Sequence, residues 1–421
     1  MNNYSIVLFI LAIMTGLSVV AEKIKLAAPI LLIVAGIAIG FFPGLPEIEI
    51  NPEIVLLIFL PPLLYDAAFN IDFKTFKTNI NTISTLAIGL VFVTACGIAV
   101  AGYYLIPGMT WPLAFVLGAI LSATDAVAAI SITKGLGLSH NTITIIEGES
   151  LINDASALVA YRFAVAAVAG ASFVIWDALL VFAGLLAGGA LVGIVMGKIL
   201  GFVLRAVRDN HLAVMSFMLL APFVTYLLAE ELHVSGVIAV VMLGLNMSRL
   251  SNQRFPEHIR NQSKNIWETI IFLLNGFIFI LIGLEFPIVA RAIDDSQIWN
   301  YVGYALLITI AALLLRMGRM FMQQVNLQRA FTAKKRRITE AALLTLEESM
   351  IISWSGMRGI VSLAIAIGLP RTLKNGEPFP MRNEIIFIST VAVLLTIIGQ
   401  GITLPWIVRK MQAGNKKPAK L

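Results

Sequence analysis

One short stretch of the chain holds several oxygen-bearing side chains within about one helical turn. It reads Glu147-Gly-Glu-Ser-Leu-Ile-Asn-Asp154. On a helix, Ser150 and Asp154 lie four positions apart on one face, and Glu149 and Asn153 are stacked in the same way beside them. Carboxylate, hydroxyl and amide oxygens suit hard cations such as Na⁺, whereas zinc or copper would require His or Cys. Helix packing through a polar seam accounts for the hydroxyl and the amide but not for neighbouring carboxylates. We therefore predict a cation site centred on Asp154.

A second polar group, Ser122-Ala-Thr-Asp125, interrupts a run of small apolar residues. Thr and Asp side chains compete with helical hydrogen bonds, so this group predicts a local helix break. A break at membrane depth exposes carbonyl oxygens that can coordinate a cation and leaves half-helix ends whose dipoles need compensation. Two roles for Asp125 stay open: balancing a helix N-terminus, or lining the ion path.

A buried arginine is the third feature. Arg358 lies within Ser353-Trp-Ser-Gly-Met-Arg-Gly359, a second candidate break in the other half of the chain. A buried guanidinium requires a partner carboxylate. We predict that Glu149 is this partner and that the ion pair is architectural, which leaves Asp154 as the free, titratable group.

Two further acidic residues are candidates for an ion funnel. Asp66 follows the double proline Pro61-Pro62, which distorts a helix. Glu268 lies near the start of a later apolar run. Charges at membrane depth are costly enough that both indicate a functional position.

The composition defines the setting of these residues. The chain has 421 residues, of which 59% are apolar and 13% charged, with a net charge of +6 and a mean hydropathy of +0.91. A soluble domain is about half apolar and about a quarter charged. These values exclude a soluble enzyme, a disordered chain and a nucleic-acid binder, and the single Cys96 excludes an internal disulfide.

The apolar runs predict an all-α polytopic membrane protein with about thirteen transmembrane helices. The predicted spans are 4–20, 26–42, 53–69, 82–106, 111–133, 142–170, 176–204, 211–229, 235–248, 266–286, 298–325, 345–369 and 384–408. Residues 1–409 then form one transmembrane unit, and 410–421 form a short basic cytoplasmic tail.

The distribution of Lys and Arg predicts the orientation. Alternating loops place 23 basic residues on one side, including Arg316, Arg319 and the cluster Lys334–Arg337, and only four on the other. By the positive-inside rule the N-terminus is outside and the C-terminus cytoplasmic. We expect Lys334–Arg337 to face anionic lipid headgroups.

Four motifs together resemble the monovalent cation:proton antiporter-1 family, the NhaP-like sodium/proton exchangers. The stretch Gly148–Asp154 resembles the family signature Gly-Glu-Ser-Leu-x-Asn-Asp, and Phe59–Asp66 resembles its Pro-Pro motif. Ala123–Asp125 matches the Thr-Asp pair of an unwound helix, and Gly356–Gly359 matches Gly-x-Arg-Gly. The motifs stand in the family's order, and the resemblance spans roughly residues 5–408.

The resemblance implies a fold and a role for each matching residue. The fold is an inverted-repeat antiporter with interrupted crossing helices, a core domain mainly in 82–170 and 266–408, and a dimerisation domain in the remaining helices. The resemblance implies a homodimer. The long regulatory tail of eukaryotic exchangers is missing, which points to a prokaryotic inner membrane. By the resemblance, Asp154 binds cation and proton alternately, with Thr124 and Ser150 as cation ligands. Asn153 occupies the position of a second Asp that electrogenic relatives carry. Glu149 and Arg358 form an ion pair, and Asp125 stabilises the crossing of the interrupted helices.

The expected function is therefore electroneutral exchange of Na⁺ or Li⁺ for H⁺, with pH homeostasis as its purpose. A K⁺/H⁺ antiporter would use the same residues, and a cation channel would need a more continuous polar pathway. The sequence lacks a Walker-type loop, so it gives no sign that the protein uses a nucleotide. It also lacks a zinc-protease motif and an obvious nucleophile, so it gives no sign of an enzyme. No cofactor is expected beyond the transported ions.

Overall fold

The computed structural model describes residues 3–24, 26–42, 52–133, 135–170, 175–207, 210–254, 257–333, 339–373 and 376–415. Regular structure in these ranges is helical, apart from one isolated bridge between Thr372 and Pro378. The α-helices are α1 Asn3–Ile24, α2 Ala28–Gly40, α3 Pro52–Asn70, α4 Phe73–Thr78, α5 Ile80–Ser84, α6 Val91–Leu105, α7 Trp111–Ile120, α8 Ala126–Thr133, α9 His140–Val168, α10 Ile175–Ala206, α11 His211–Glu231, α12 Gly236–Arg254, α13 Glu257–Arg291, α14 Ile298–Thr332, α15 Leu346–Trp354, α16 Ile360–Ile367, α17 Arg382–Leu394 and α18 Gly401–Asn415. Two π-helical turns, Thr85–Leu90 and Leu395–Gln400, join α5 to α6 and α17 to α18, and Glu340–Ala342 is a 3₁₀ turn.

The all-α membrane class is confirmed. Seven helical stretches are long and apolar enough to cross a membrane, and four shorter apolar helices accompany them within the described residues. Helices suit this setting because each satisfies its own backbone hydrogen bonds where no water is present. Some predicted spans correspond to the shorter helices, so the number of thirteen crossings stays a prediction.

Two predicted spans are interrupted helices. The predicted span 111–133 divides into α7 and α8, and the predicted span 345–369 divides into α15 and α16. The gaps, 121–125 and 355–359, fall at the two groups that indicated breaks, Ser122–Asp125 and Ser353–Gly359; Ser353 and Trp354 still belong to α15. At its other end α15 begins with a capping box, in which Thr345 and Glu348 exchange hydrogen bonds.

The chain forms two compact units. Unit 1 comprises Met1–Ile48, Thr75–Ala169 and Gly276–Leu421, and it contains both interrupted helices. Its apolar core is built from fully buried side chains such as Ile98, Leu117 and Phe387. The predicted core and dimerisation domains are defined by domain movement and by contacts between subunits, which the two compact units of one chain do not test. This division therefore stays a prediction.

Unit 2 comprises Glu49–Lys74 and Gly170–Asn275. Within it α10 packs closely on α12, and Gly193 is one point of close approach, since a Cβ there would meet the backbone of Ala239. Small residues let helix backbones approach in this way inside a membrane. The double proline is accommodated inside α3.

Candidate functional site

The two helix breaks contact each other, and we call residues 121–125 and 355–359 together the crossing. The amide of Asp125 donates a hydrogen bond to the carbonyl oxygen of Met357 at 2.8 Å. Backbone groups freed by one interruption are thus satisfied by the other, as burial in an apolar environment requires.

Asp125 caps two half-helices. Its Oδ1 accepts hydrogen bonds from the amides of Val127 at 2.9 Å and Ala128 at 3.2 Å, in the first turn of α8. Its Oδ2 accepts from the amide of Ile360 at 3.5 Å, the first residue of α16. A carboxylate is stabilising at a helix N-terminus because the exposed amides and the helix dipole are positive there. Of the two roles left open for this residue, the contacts are those of a helix cap.

The buried ion pair of Glu149 is made with Arg316, which corrects the predicted pairing with Arg358. Nη1 of Arg316 donates to Oε1 of Glu149, and Nη2 donates to Oε2 at 2.7 Å, so the contact is bidentate. The side chains are 3% and 1% exposed. Nε of Arg316 also donates to the carbonyl of Ser353 at 3.1 Å, at the C-terminal end of α15. A cation is favourable at that helix end.

Arg358 satisfies its guanidinium in another way. Its Nε donates to the carbonyl of Leu121 at 3.0 Å, and Nη1 donates to the carbonyl of Gly356 at 3.1 Å. Leu121 is the C-terminal cap residue of α7. Each arginine therefore lies at the C-terminus of one interrupted helix, and the hydrogen bonds of Arg358 go to backbone carbonyls there.

The two glycines that flank Arg358 make room for these groups. A Cβ on Gly356 would overlap the Arg316 guanidinium, and a Cβ on Gly359 would overlap the Asp125 carboxylate. The Gly-x-Arg-Gly spacing thus follows from the two charged side chains that approach the break.

Helix α9 and the crossing share a polar cluster, which consists of Thr124, Glu149, Ser150, Asn153 and Asp154. Thr124 Oγ1 accepts from Nδ2 of Asn153 at 2.9 Å and donates to Glu149 at 3.3 Å. Ser150 Oγ donates to the Thr124 carbonyl at 2.9 Å. The structure therefore brings together the side chains that the sequence placed on α9 and at the first break.

Asp154 differs from the rest of the cluster in having an unsatisfied oxygen. Asp154 is 5% exposed, and its Oδ1 is buried with no hydrogen-bond partner among the described residues. Oδ1 of the adjacent Asn153 is in the same state. Buried oxygens are normally paired, so the unpaired carboxylate oxygen of Asp154 is the group that a cation or a proton would complete.

A polar π-helical turn supports the second break. Thr396 Oγ1, in Leu395–Gln400, accepts from the amide of Arg358 at 3.1 Å. Trp354, the last residue of α15, donates from Nε1 to Thr403 at 2.9 Å. Gln400 lies between Thr396 and Thr403, and both its side-chain amide atoms are buried without a partner in the described part of the chain. Sequence reasoning did not single out these residues, because threonine and glutamine carry no charge to mark them.

The two funnel candidates belong to unit 2, whereas every member of the polar cluster belongs to unit 1. Asp66 accepts a hydrogen bond from Asn70 at 2.8 Å. Glu268 lies 3.8 Å from Lys264 and is largely exposed. Their role in a funnel stays a prediction. The predicted lipid contact Lys334–Arg337 lies outside the described residues.

Arg316 is the functional residue that sequence reasoning missed. It was assigned to a cytoplasmic loop, yet it lies inside helix α14 and is buried. The signal was available, since Arg316 falls inside the predicted span 298–325. A charge inside a span delimited by hydropathy requires a partner rather than a loop.

Comparison with protein-family models identifies the class. The model described as "Sodium/hydrogen exchanger, transmembrane" matches residues 8–410. Because this match covers nearly the whole chain, the protein belongs to the sodium/hydrogen exchanger family, a family of membrane transporters.

Individual relatives agree with this assignment. The chain is 33% identical over 97% of its length to the "Sodium, potassium, lithium and rubidium/H(+) antiporter" of Bacillus pumilus, and it spans 62% of that protein. It is 30% identical over 96% of its length to the "Na(+)/H(+) antiporter NhaH" of Halobacillus aidingensis, 97% of which is covered. The solved structure of the sodium proton antiporter MjNhaP1 from Methanocaldococcus jannaschii has a TM-score of 0.70 at 20% identity, covering 97% of this chain and 98% of that one. That likeness establishes the antiporter fold.

Proposed function

We propose that the protein is a secondary antiporter that exchanges Na⁺ or Li⁺ for H⁺ by alternating access, with both ions competing for Asp154. The observation that carries this proposal is the buried Oδ1 of Asp154, which has no hydrogen-bond partner among the described residues. A bare carboxylate is costly at membrane depth, so the empty, ionised site would not move across the barrier. Either a proton or a cation would neutralise it and permit movement.

The charge balance of the crossing supports a stoichiometry of one to one. Each helix terminus carries about half an elementary charge. The N-termini of α8 and α16 are then offset by Asp125, and the C-termini of α7 and α15 together with Glu149 are offset by Arg316 and Arg358. Among the described charges of the crossing and the polar cluster, Asp154 is then the one without a compensating charge. One monovalent ion neutralises it, which makes the exchange electroneutral.

The polar cluster would supply the cation ligands. Asp154 and Asn153 would offer their unpaired oxygens, and Thr124 and Ser150 would offer hydroxyl oxygens that keep a free lone pair after their existing hydrogen bonds. These are oxygen donors suited to an alkali cation. A K⁺/H⁺ antiporter using the same site is the second candidate, and the name of the Bacillus relative, which includes potassium, favours testing it.

Further parts of the proposal concern the assembly and its surroundings. We propose a homodimer in a prokaryotic cytoplasmic membrane, with the N-terminus outside and the C-terminus inside. Its core domain would lie mainly in 82–170 and 266–408, Asp66 and Glu268 would line the ion funnel, and Lys334–Arg337 would contact anionic lipid. The protein would act as a transporter rather than an enzyme, without a cofactor, a nucleotide or a nucleic-acid partner.

The decisive test uses the purified protein in proteoliposomes that hold an imposed pH gradient. Addition of Na⁺ or Li⁺ should dissipate the gradient, and K⁺ should do so less well. Equal or better dissipation by K⁺ would favour the second candidate. Flux that continues without any coupled proton movement would contradict antiport and indicate a channel.

The stoichiometry has its own measurement. The same exchange is recorded with the membrane potential clamped at different values by a potassium ionophore. Electroneutral exchange should proceed at a rate independent of the potential. A rate that rises or falls with the potential would contradict the one-to-one assignment.

A further inference from the structure

A polar pocket in unit 1 lies apart from the polar cluster. It has a volume of about 590 Å³ and is lined by four polar side chains, Asn81, Gln323, Asn326 and Arg329, together with Leu327 and two alanines. This volume falls within the range of about 300–1,000 Å³ that is typical of small-ligand sites.

The polar side chains converge from two helices. Asn81 is the second residue of α5, and the other three lie along the last turns of α14. Gln323, Asn326 and Ala330 follow the spacing of one helix face, and the small side chains of the two alanines leave the space open.

The four polar side chains of the pocket make no hydrogen bonds to other described residues. Gln323 is only 5% exposed, yet among the described residues its side chain makes no hydrogen bond. Since Gln323 lines the pocket, its amide faces this space and has no protein partner there. The side chains of Asn81, Asn326 and Arg329 are exposed and make no hydrogen bond within the described part of the chain, so their polar groups are open to a ligand.

The chemistry of the lining indicates an anion with several acceptor oxygens. The lining has one charged group, the guanidinium of Arg329, and three carboxamides, which can donate N–H groups as well as accept; no acidic residue lines the pocket among the described residues. Arginine recognises phosphate through paired hydrogen bonds, and amides complete such a site.

The pocket lies near the C-terminal end of α14, at the level expected for lipid headgroups. The helix has 35 residues, which corresponds to about 52 Å. That exceeds the roughly 40–45 Å of a bilayer including its headgroups. The polar end of the helix is the one that bears Gln323, Asn326 and Arg329, since its first half is almost entirely apolar.

We propose that this pocket binds a phosphate group, supplied either by an anionic phospholipid headgroup or by a free phosphate compound. The bound phosphate would tie α5 to α14, the helix that also carries Arg316. Occupancy should therefore stabilise unit 1. The proposal does not depend on which cation the protein transports.

The test uses the full chain, purified in a maltoside detergent and depleted of lipid. Thermal unfolding and retention in native mass spectrometry are measured with phosphatidylglycerol, with inorganic phosphate, and with the phosphate-free lipid monogalactosyldiacylglycerol. The variants are Arg329→Gln, which removes the charge, and Gln323→Leu, which removes the buried amide. Arg205→Gln is the control, because Arg205 is an exposed basic residue in the last turn of another helix, α10.

Phosphatidylglycerol should raise the unfolding temperature of the wild type and of Arg205→Gln. Arg329→Gln should bind about tenfold more weakly or worse, as expected for losing a hydrogen bond to a charged group. Gln323→Leu should also lose the shift. A shift with inorganic phosphate alone would identify a free phosphate compound as the ligand, whereas a shift confined to the phospholipid would identify the headgroup. Equal shifts with the galactolipid, or in all variants, would overturn the proposal, as would no shift with any probe.

Discussion

Two regions of helix α9, five residues apart, hold buried carboxylates in opposite states. Glu149 has both oxygens bonded to the Arg316 guanidinium, which also binds backbone carbonyls at the end of α15. Asp154 has an oxygen with no partner. A matched buried charge is a fixed structural element, whereas an unmatched one is available to bind an ion. Glu149 therefore belongs to the fixed architecture of the crossing, whereas Asp154 is the group that would bind the transported ion.

The same amide substitution at both carboxylates should give the largest contrast. Asp154→Asn should abolish exchange and leave the unfolding temperature equal or higher, because it removes an unpaired buried carboxylate. Glu149→Gln should lower the unfolding temperature, because it leaves Arg316 without a counter-charge. Proteoliposome exchange and thermal unfolding in detergent measure both. Exchange at the wild-type rate in Asp154→Asn would refute its assignment as the ion-binding carboxylate.

Removal of the guanidinium from the matched region should give the next largest effect. Arg316→Ala should lower stability by about 3–5 kcal/mol, the usual cost of stranding one member of a buried ion pair. The double variant Arg316→Met with Glu149→Leu should recover much of this loss, because no charge is left unpaired. A double variant no more stable than Arg316→Ala would show that the pair is not the source of the effect.

Arg358 distinguishes this structure from the pairing expected from sequence. Since Arg358 bonds backbone carbonyls rather than Glu149, Arg358→Ala should cost about 1–3 kcal/mol, typical of buried acceptors left without a donor. The measurement is denaturation of the two arginine variants side by side. A larger loss for Arg358→Ala than for Arg316→Ala would restore the original pairing.

The neutral members of the polar cluster should give the smallest effects. Thr124→Val and Ser150→Ala each remove one hydroxyl, so the apparent KM for Na⁺ should rise about 2- to 10-fold, in line with the ~0.5–1.5 kcal/mol of one neutral hydrogen bond. Exchange at saturating Na⁺ should stay near the wild-type rate. Ser156→Ala is a matched control, since its hydroxyl bonds only the Ile152 carbonyl of its own helix.

The sequence allowed the helices, both breaks and the polar group on α9 to be predicted, because each leaves a local pattern. Hydropathy marks the helices, and the competing side chains of Thr124 and Asp125 mark the first break. The partner of Glu149 leaves no local pattern, since Arg316 lies 167 residues away. Once the charge pattern had assigned Arg316 to a loop, Arg358 was the arginine left to pair with Glu149. Only the fold shows that Arg358 is already satisfied by backbone carbonyls.

The cap shared by α8 and α16 has a consequence for biosynthesis. Asp125 precedes Ile360, whose amide it accepts, by 235 residues. A ribosome adding ~5–20 residues per second needs roughly 10 to 50 s to cover that distance. During this interval the first break has no second break to satisfy its backbone, and its carboxylate caps one helix instead of two. The first interrupted helix therefore reaches its final form only after Ile360 has been made, so a chain that stops before that residue lacks the second half of the cap.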